Sequence, residues 1–151
     1  MMHIVLQDRL SPLASRLAAL ALTGLLGLMA APALALQGMP TAPQKLPTTQ
    51  LGIGMHVIKA EVAQTPREHA IGLMWRTEMG ANDGMLFIFP QATKQCFWMK
   101  NTLIPLSIAF VDDDGKIVNL DEMQPQTEAP HCSTKPVRYV LEMNKGWFAK
   151  R

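Results

Sequence analysis

Between Gly84 and Val118 the chain runs Gly-Met-Leu-Phe-Ile-Phe-Pro, then Gln-Cys-Phe-Trp-Met-Lys-Asn-Thr-Leu-Ile-Pro-Leu-Ser-Ile-Ala-Phe-Val, then Asp-Asp-Asp-Gly-Lys-Ile-Val. The apolar runs are short, rich in aromatic and β-branched residues, and cut by Pro, Asn, Asp and Gly at intervals too close for long helices. The centre of the protein is therefore expected to be a set of adjacent strands, and the fold class mainly β (α+β).

The flanking segments extend that pattern. Met55–Val62 alternates with period 2, placing His56, Ile58, Ala60 and Val62 on one face and Lys59 and Glu61 on the other. His56 is thus expected on the apolar side, as a hydrogen-bonded structural histidine. Thr65-Pro66-Arg67-Glu68 carries a cap, a proline at the first helical position and a capping-box partner, so a short helix is expected from there to about Arg76. Met85–Phe89 is apolar throughout and should be a strand covered on both faces, ended by Pro90. Cys96–Lys100 reads as a further strand. Leu106–Val111 and Lys116–Leu120 form a hairpin across Asp112-Asp113-Asp114-Gly115. Asp121–Pro136 is a long polar connection, and Val137–Met143 is the last strand.

The N-terminus bears on compartment. Arg9 and Arg16 precede the apolar run Leu17–Met29, and Ala33-Leu34-Ala35 supplies small residues at both positions of a signal-peptidase site. Residues 1–35 are expected to be a cleaved signal peptide, because the run is shorter than the roughly 20 residues that cross a bilayer. Residues 36–50, with Pro40, Pro43 and Pro47 and no apolar period, read as a flexible leader, and 51–151 as a single β-rich domain. A periplasmic or secreted protein follows, not an integral membrane protein once processed. Removing Asp8, Arg9 and Arg16 from 14 basic and 12 acidic residues leaves 12 and 11. That balance offers no basic face for nucleic acid, which is not expected as a partner. Both cysteines, Cys96 and Cys132, lie beyond the cleavage site, and in an exported chain they are expected to form a disulfide.

Three stretches carry a resemblance. Gly72-Leu73-Met74 with Arg76, Gly84-Met85-Leu86-Phe87, and Phe97-Trp98-Met99-Lys100-Asn101-Thr102 followed by Ile104-Pro105-Leu106 resemble the domain of unknown function 192, also called uncharacterised protein family 0127. The likeness runs from about Ile53 to the end and includes Leu141-Glu142 and the Gly146 turn. It implies a small closed β-barrel-like or sandwich domain with one short helix, and no activity to transfer. Ser107 departs from the Asp that many relatives carry there, and Arg151 comes before the further turn and strand that relatives usually have.

The motifs of common chemistry are missing: there is no Gly-x-Ser-x-Gly, no His-Glu-x-x-His, and no close pair of cysteines for thiol redox work. Asp112–Asp114 lack the remaining ligands of a calcium loop and read as a solvated turn. An enzyme is therefore not the leading expectation. The polar residues of the most distinctive strand and its neighbours, Arg76, Trp98, Lys100, Asn101, Thr102 and Glu142, are the candidate ligand site, since an aromatic face ringed by donors can hold a small polar or anionic molecule. The competing structural reading has Asn101 and Thr102 capping a turn and Arg76 paired with Glu142. The expected function is a non-catalytic periplasmic binding module for a small ligand or an envelope protein partner, with no cofactor. The alternative is soft-metal binding: thioether, imidazole and thiolate suit copper, and His56, Met74, Met99 and His131 would be its ligands.

Overall fold

A computed structural model of the chain describes residues 40–151, together with the backbone of residues 4–6. The expected signal peptide otherwise lies outside the described residues, as do residues 36–39 of the expected leader. Nine strands are described: β1 (Ile4–Leu6), β2 (Thr48–Ile53), β3 (His56–Ala63), β4 (Asp83–Thr93), β5 (Cys96–Phe97), β6 (Leu106–Val111), β7 (Ile117–Met123), β8 (His131–Cys132) and β9 (Val137–Asn144). One α-helix, α1 (Pro66–Ile71), joins β3 to β4, and a 3₁₀ turn at Phe148–Lys150 closes the chain.

Seven strands form one mixed sheet in the order β1-β2-β3-β4-β9-β6-β7, and β5 and β8 form a separate pair. β3 and β4 run parallel across the α1 crossover, while every other pairing is antiparallel. The mainly β class with one short helix is as expected, but among the described residues the sheet does not close into a barrel. Closure would need β7 to pair with the strand at the opposite end. Instead side chains of β7 engage the 131–134 segment: Asn119 donates to the Cys132 carbonyl and accepts from the Thr134 N–H, and Asp121 meets His131 at 2.6 Å. A sandwich-like arrangement with core on both faces of an open sheet results.

One face gathers Leu51, Ile53, Ile58, Leu86, Leu141 and Trp147, and the other Leu73, Met85, Phe87, Met99, Phe110 and Val140. β9 is the strand that serves both. Lying between β4 and β6, it buries Val140, Leu141, Glu142 and Met143 in succession, so it is covered on both sides rather than alternating in and out. Gly84 permits this, because a Cβ there would stand 2.5 Å from both the Glu142 carbonyl and the Met143 sulfur.

Several boundaries move for local reasons. α1 has the full expected cap, with Thr65 accepting from Glu68 N–H and the Glu68 carboxylate accepting from Thr65 N–H. It stops at Ile71 because Gly72 takes φ +49°, short of the expected Arg76. β4 runs through Pro90 to Thr93; the register shifts between Ile88 and Thr93, and a proline is tolerated in a stretch where no ladder N–H is required. The strand expected over Cys96–Lys100 is only Cys96–Phe97, because Thr102 N–H bonds the Met99 carbonyl and turns the chain. The hairpin has its expected turn: Asp112 Oδ1 accepts from the N–H groups of Asp114 and Lys116, and Gly115 takes φ +75°.

Residues 40–50, expected as a flexible leader, are laid on the domain. Pro40 O accepts from the Trp75 indole, Gln44 donates to the carbonyls of Glu68 and Gly72, Leu46 N–H donates to Glu61, and Thr48–Gln50 belong to β2. A proline-rich segment has little apolar surface to bury, yet its carbonyls and one glutamine suffice to fasten it. Among the described residues no helix is long and apolar enough to cross a membrane.

Candidate functional site

Glu142 stands at the centre of the larger sheet. Its neighbours in register are Met85 on β4 and Ile108 on β6, both fully buried apolar residues, so a carboxyl occupies a place in an otherwise hydrophobic row. Only 4% of the residue is exposed. Among the described residues no side chain or backbone group hydrogen-bonds its carboxyl. Burial without a compensating partner pushes its pKa up from 4.5 to about 8.

The carboxyl is not sealed in. It lines a cleft of about 260 Å³ between α1, β4 and the segment that follows β5. β4 supplies Phe87 and Phe89, whose alternation puts both on the Glu142 side. β5 and its exit supply Phe97 and Trp98, and α1 supplies His69. The rings pack on one another: Phe87 and Phe97 meet edge to face at 4.8 Å between centroids, and His69 and Phe89 lie 4.5 Å apart. His69 Nε2 is held by the Ala63 carbonyl at 3.0 Å, which makes that nitrogen the protonated one in the neutral ring. Gly72 lets the helix end settle against Phe87, since a Cβ there would stand 3.3 Å from the Phe87 ring.

The outer wall is fixed by two links. Cys96 and Cys132 lie directly opposite in β5 and β8 and are joined, with 2.09 Å between the sulfurs. Trp75 N–H donates to the Asn101 carbonyl, and Asn101 Nδ2 donates to the Met74 sulfur, which ties the Met99–Thr102 turn to the loop after α1. Trp98 is 48% exposed and forms the rim.

Three of the six expected ligand residues thus converge on the cleft: Glu142, Thr102 and Trp98. The other three do not line it. Lys100 lies over the Trp98 ring at 5.2 Å and meets Glu128 at 3.5 Å; Asn101 serves the turn. Arg76 is a tie, with its guanidinium 2.6 Å from Glu61 and 3.0 Å from the Gln44 carbonyl. The alternative pairing of Arg76 with Glu142 is not formed, because Glu61 on β3 reaches the guanidinium first. Ser107, the departure from the family pattern, donates to Glu122 and accepts from Gly146 N–H, so it joins β6 to β7 and to the C-terminal turn.

The residues of the copper alternative are spread out. Met74 lines the cleft and Met99 is wholly buried in the core beside it. His56 packs edge-on to Trp147 in the opposite core cluster, and His131 is paired with Asp121, whose carboxyl that hydrogen bond holds below its usual range. Among the described residues no three His, Cys, Asp or Glu side chains are grouped as a metal would need. Sequence reasoning missed His69, Phe87, Phe89 and Phe97. The Met85-Phe87-Phe89 alternation was a usable signal for two of them, whereas His69 joins the cleft only through the crossover.

The profile of the domain of unknown function 192, described as an uncharacterized ACR, matches residues 48–151. The chain belongs to this family. Solved structures that resemble this member of the domain of unknown function 192 include the following two. A protein of unknown function from Novosphingobium aromaticivorans DSM 12444 is 42% identical at a TM-score of 0.62, covering 63% of this chain and 69% of its own. A protein from Sinorhizobium meliloti 1021, described as a candidate transcription regulator, is 38% identical at a TM-score of 0.62, covering 63% of this chain and 74% of its own. Among curated proteins none matches.

Proposed function

We propose that this protein is an exported, non-catalytic module that binds a small molecule in the cleft floored by Glu142. The reading rests on one observation: a carboxyl on the central strand, without a hydrogen-bond partner among the described residues, opens into a cleft walled by aromatic rings. Taking a carboxyl largely out of water without a charged or hydrogen-bonding partner costs free energy, so a chain that needed only a core would do better with Leu or Met at that position. Concave apolar sites with a few convergent polar groups are the usual form of a ligand site. The predicted signal peptide supports export, which would put the site in contact with solutes of the periplasm or medium.

Trp98 on the rim offers the readout. A screen of small metabolites by tryptophan fluorescence and thermal unfolding should find ligands that raise the Tm, by mass action on the folded state. Glu142→Leu should retain the fold and lose that response. A library that moves neither signal, with the folded protein verified by circular dichroism, would contradict the reading.

A further inference from the structure

We infer that the cleft takes an organic cation, a primary or quaternary ammonium group on a small apolar body, seated against the Glu142 carboxylate and the surrounding aromatic faces; this rests on the small-ligand reading above. The argument starts from the charges present. Among the described residues no Lys or Arg lines the cleft, so an anionic ligand would be desolvated there without a Lys or Arg counter-charge. Lys100, a candidate named from the sequence, lies over the Trp98 ring and against Glu128 and is not part of the cleft lining. Among the described residues Glu142 is the single acid on the lining, and Phe87, Phe89, Phe97 and Trp98 supply aromatic rings, whose π-faces attract cations. A carboxylate together with several rings is the chemistry that recognises ammonium groups. At about 260 Å³ the cleft has room for a molecule of a few heavy atoms.

Binding of this kind is linked to protons. Among the described residues the elements packed around Glu142 present apolar or neutral side chains, Met85 and Phe87 from β4, Ile108 and Phe110 from β6, Met74 and Thr102 from the loops, and one titratable group, the His69 imidazole from α1. With the cleft empty, burial keeps much of Glu142 protonated at neutral pH. An ammonium ligand stabilises the carboxylate, so the proton on Glu142 leaves to solvent as the cation enters, and affinity rises with pH up to about 8.

The test is calorimetric titration of the purified full chain with butylammonium, tetramethylammonium, butan-1-ol and butyrate, at neutral pH in buffers of differing ionisation enthalpy. The inference expects an ammonium probe to bind at least about tenfold more tightly than butanol, with no butyrate binding and with a binding heat that varies with the buffer's ionisation enthalpy in the sense of proton release. Glu142→Gln should remove both the preference and the proton release, and Trp98→Ala, at an exposed rim position, should weaken the cations without unfolding the protein. Equal binding of butanol, or preference for butyrate, would overturn the cation assignment and leave the small-ligand reading standing. If none of the four probes binds, the cation assignment falls; if the metabolite screen is silent as well, the wider reading falls with it.

Discussion

Glu142 sits between Met85 and Ile108 in a row of apolar side chains, and that placement has a cost that depends on pH. The unfolded chain ionises this carboxyl near 4.5, whereas the folded one does so near 8. Between those values the unfolded state has lost the proton that the folded state keeps, so stability falls as pH rises and levels off above about 8. Glu142→Gln should flatten that decline and raise stability at neutral pH by on the order of 3 kcal/mol, less the penalty of an unpaired amide, as read by urea denaturation across the window. A pH dependence identical to the parent's would mean that the carboxyl is solvated or paired. The residue itself was legible, since Glu142 stood out as an acid within a strand of alternating apolar positions. Its lack of a partner was not. Which cation meets which anion depends on how β3 and β9 are ordered in the sheet, and no sequence period encodes that order, so Arg76 was as reasonable a partner for Glu142 as for Glu61.

At the scale of elements, the short strands β5 and β8 owe their place to the cysteine bridge more than to their own pairing. Two residues on each side cannot hold a ladder alone. The bridge spans a separation of 36 residues, and loop-entropy reasoning gives on the order of 3 kcal/mol for closing such a loop. Replacing both cysteines with Ser should lower the unfolding free energy by about that amount. The same change should weaken ligand binding, because Phe97 and Trp98 leave β5 directly as the cleft wall. An unchanged stability would show the bridge to be dispensable. Elements with a strong local signature were readable: the Thr65 capping box, the Asp112–Gly115 turn and the β6–β7 hairpin follow from residues within a few positions of each other. The helix end, the continuation of β4 past Pro90 and the break after Phe97 were not, because each is decided by contacts across the fold. Gly72 does end the helix by its own left-handed φ, but glycine tolerates helix interiors too, and the choice falls to Phe87 packed beneath it.

For the whole molecule, the sequence conveyed a β-rich domain and its family, while closure into a barrel was an expectation that the edge at β7 does not meet. The segment before the domain is the other large-scale question. Ile4–Leu6 pairs with β2, so processing after Ala35 would leave β2 as the outer strand on that side of the sheet. The intact mass of protein recovered from the periplasm should equal that of residues 36–151 less two hydrogens for the Cys96–Cys132 bridge; a mass beginning at Met1 would contradict the predicted signal peptide. The function proposed for the molecule depends most on the unpartnered carboxyl that β9 carries into an open cleft. That is tested most directly by following the side-chain ¹³C shift of Glu142 in labelled protein from about pH 4 to about pH 10, a range that brackets ordinary and strongly raised carboxyl values. The account predicts a midpoint near 8. A midpoint near 4.5, the ordinary value for a solvated glutamate, would contradict it.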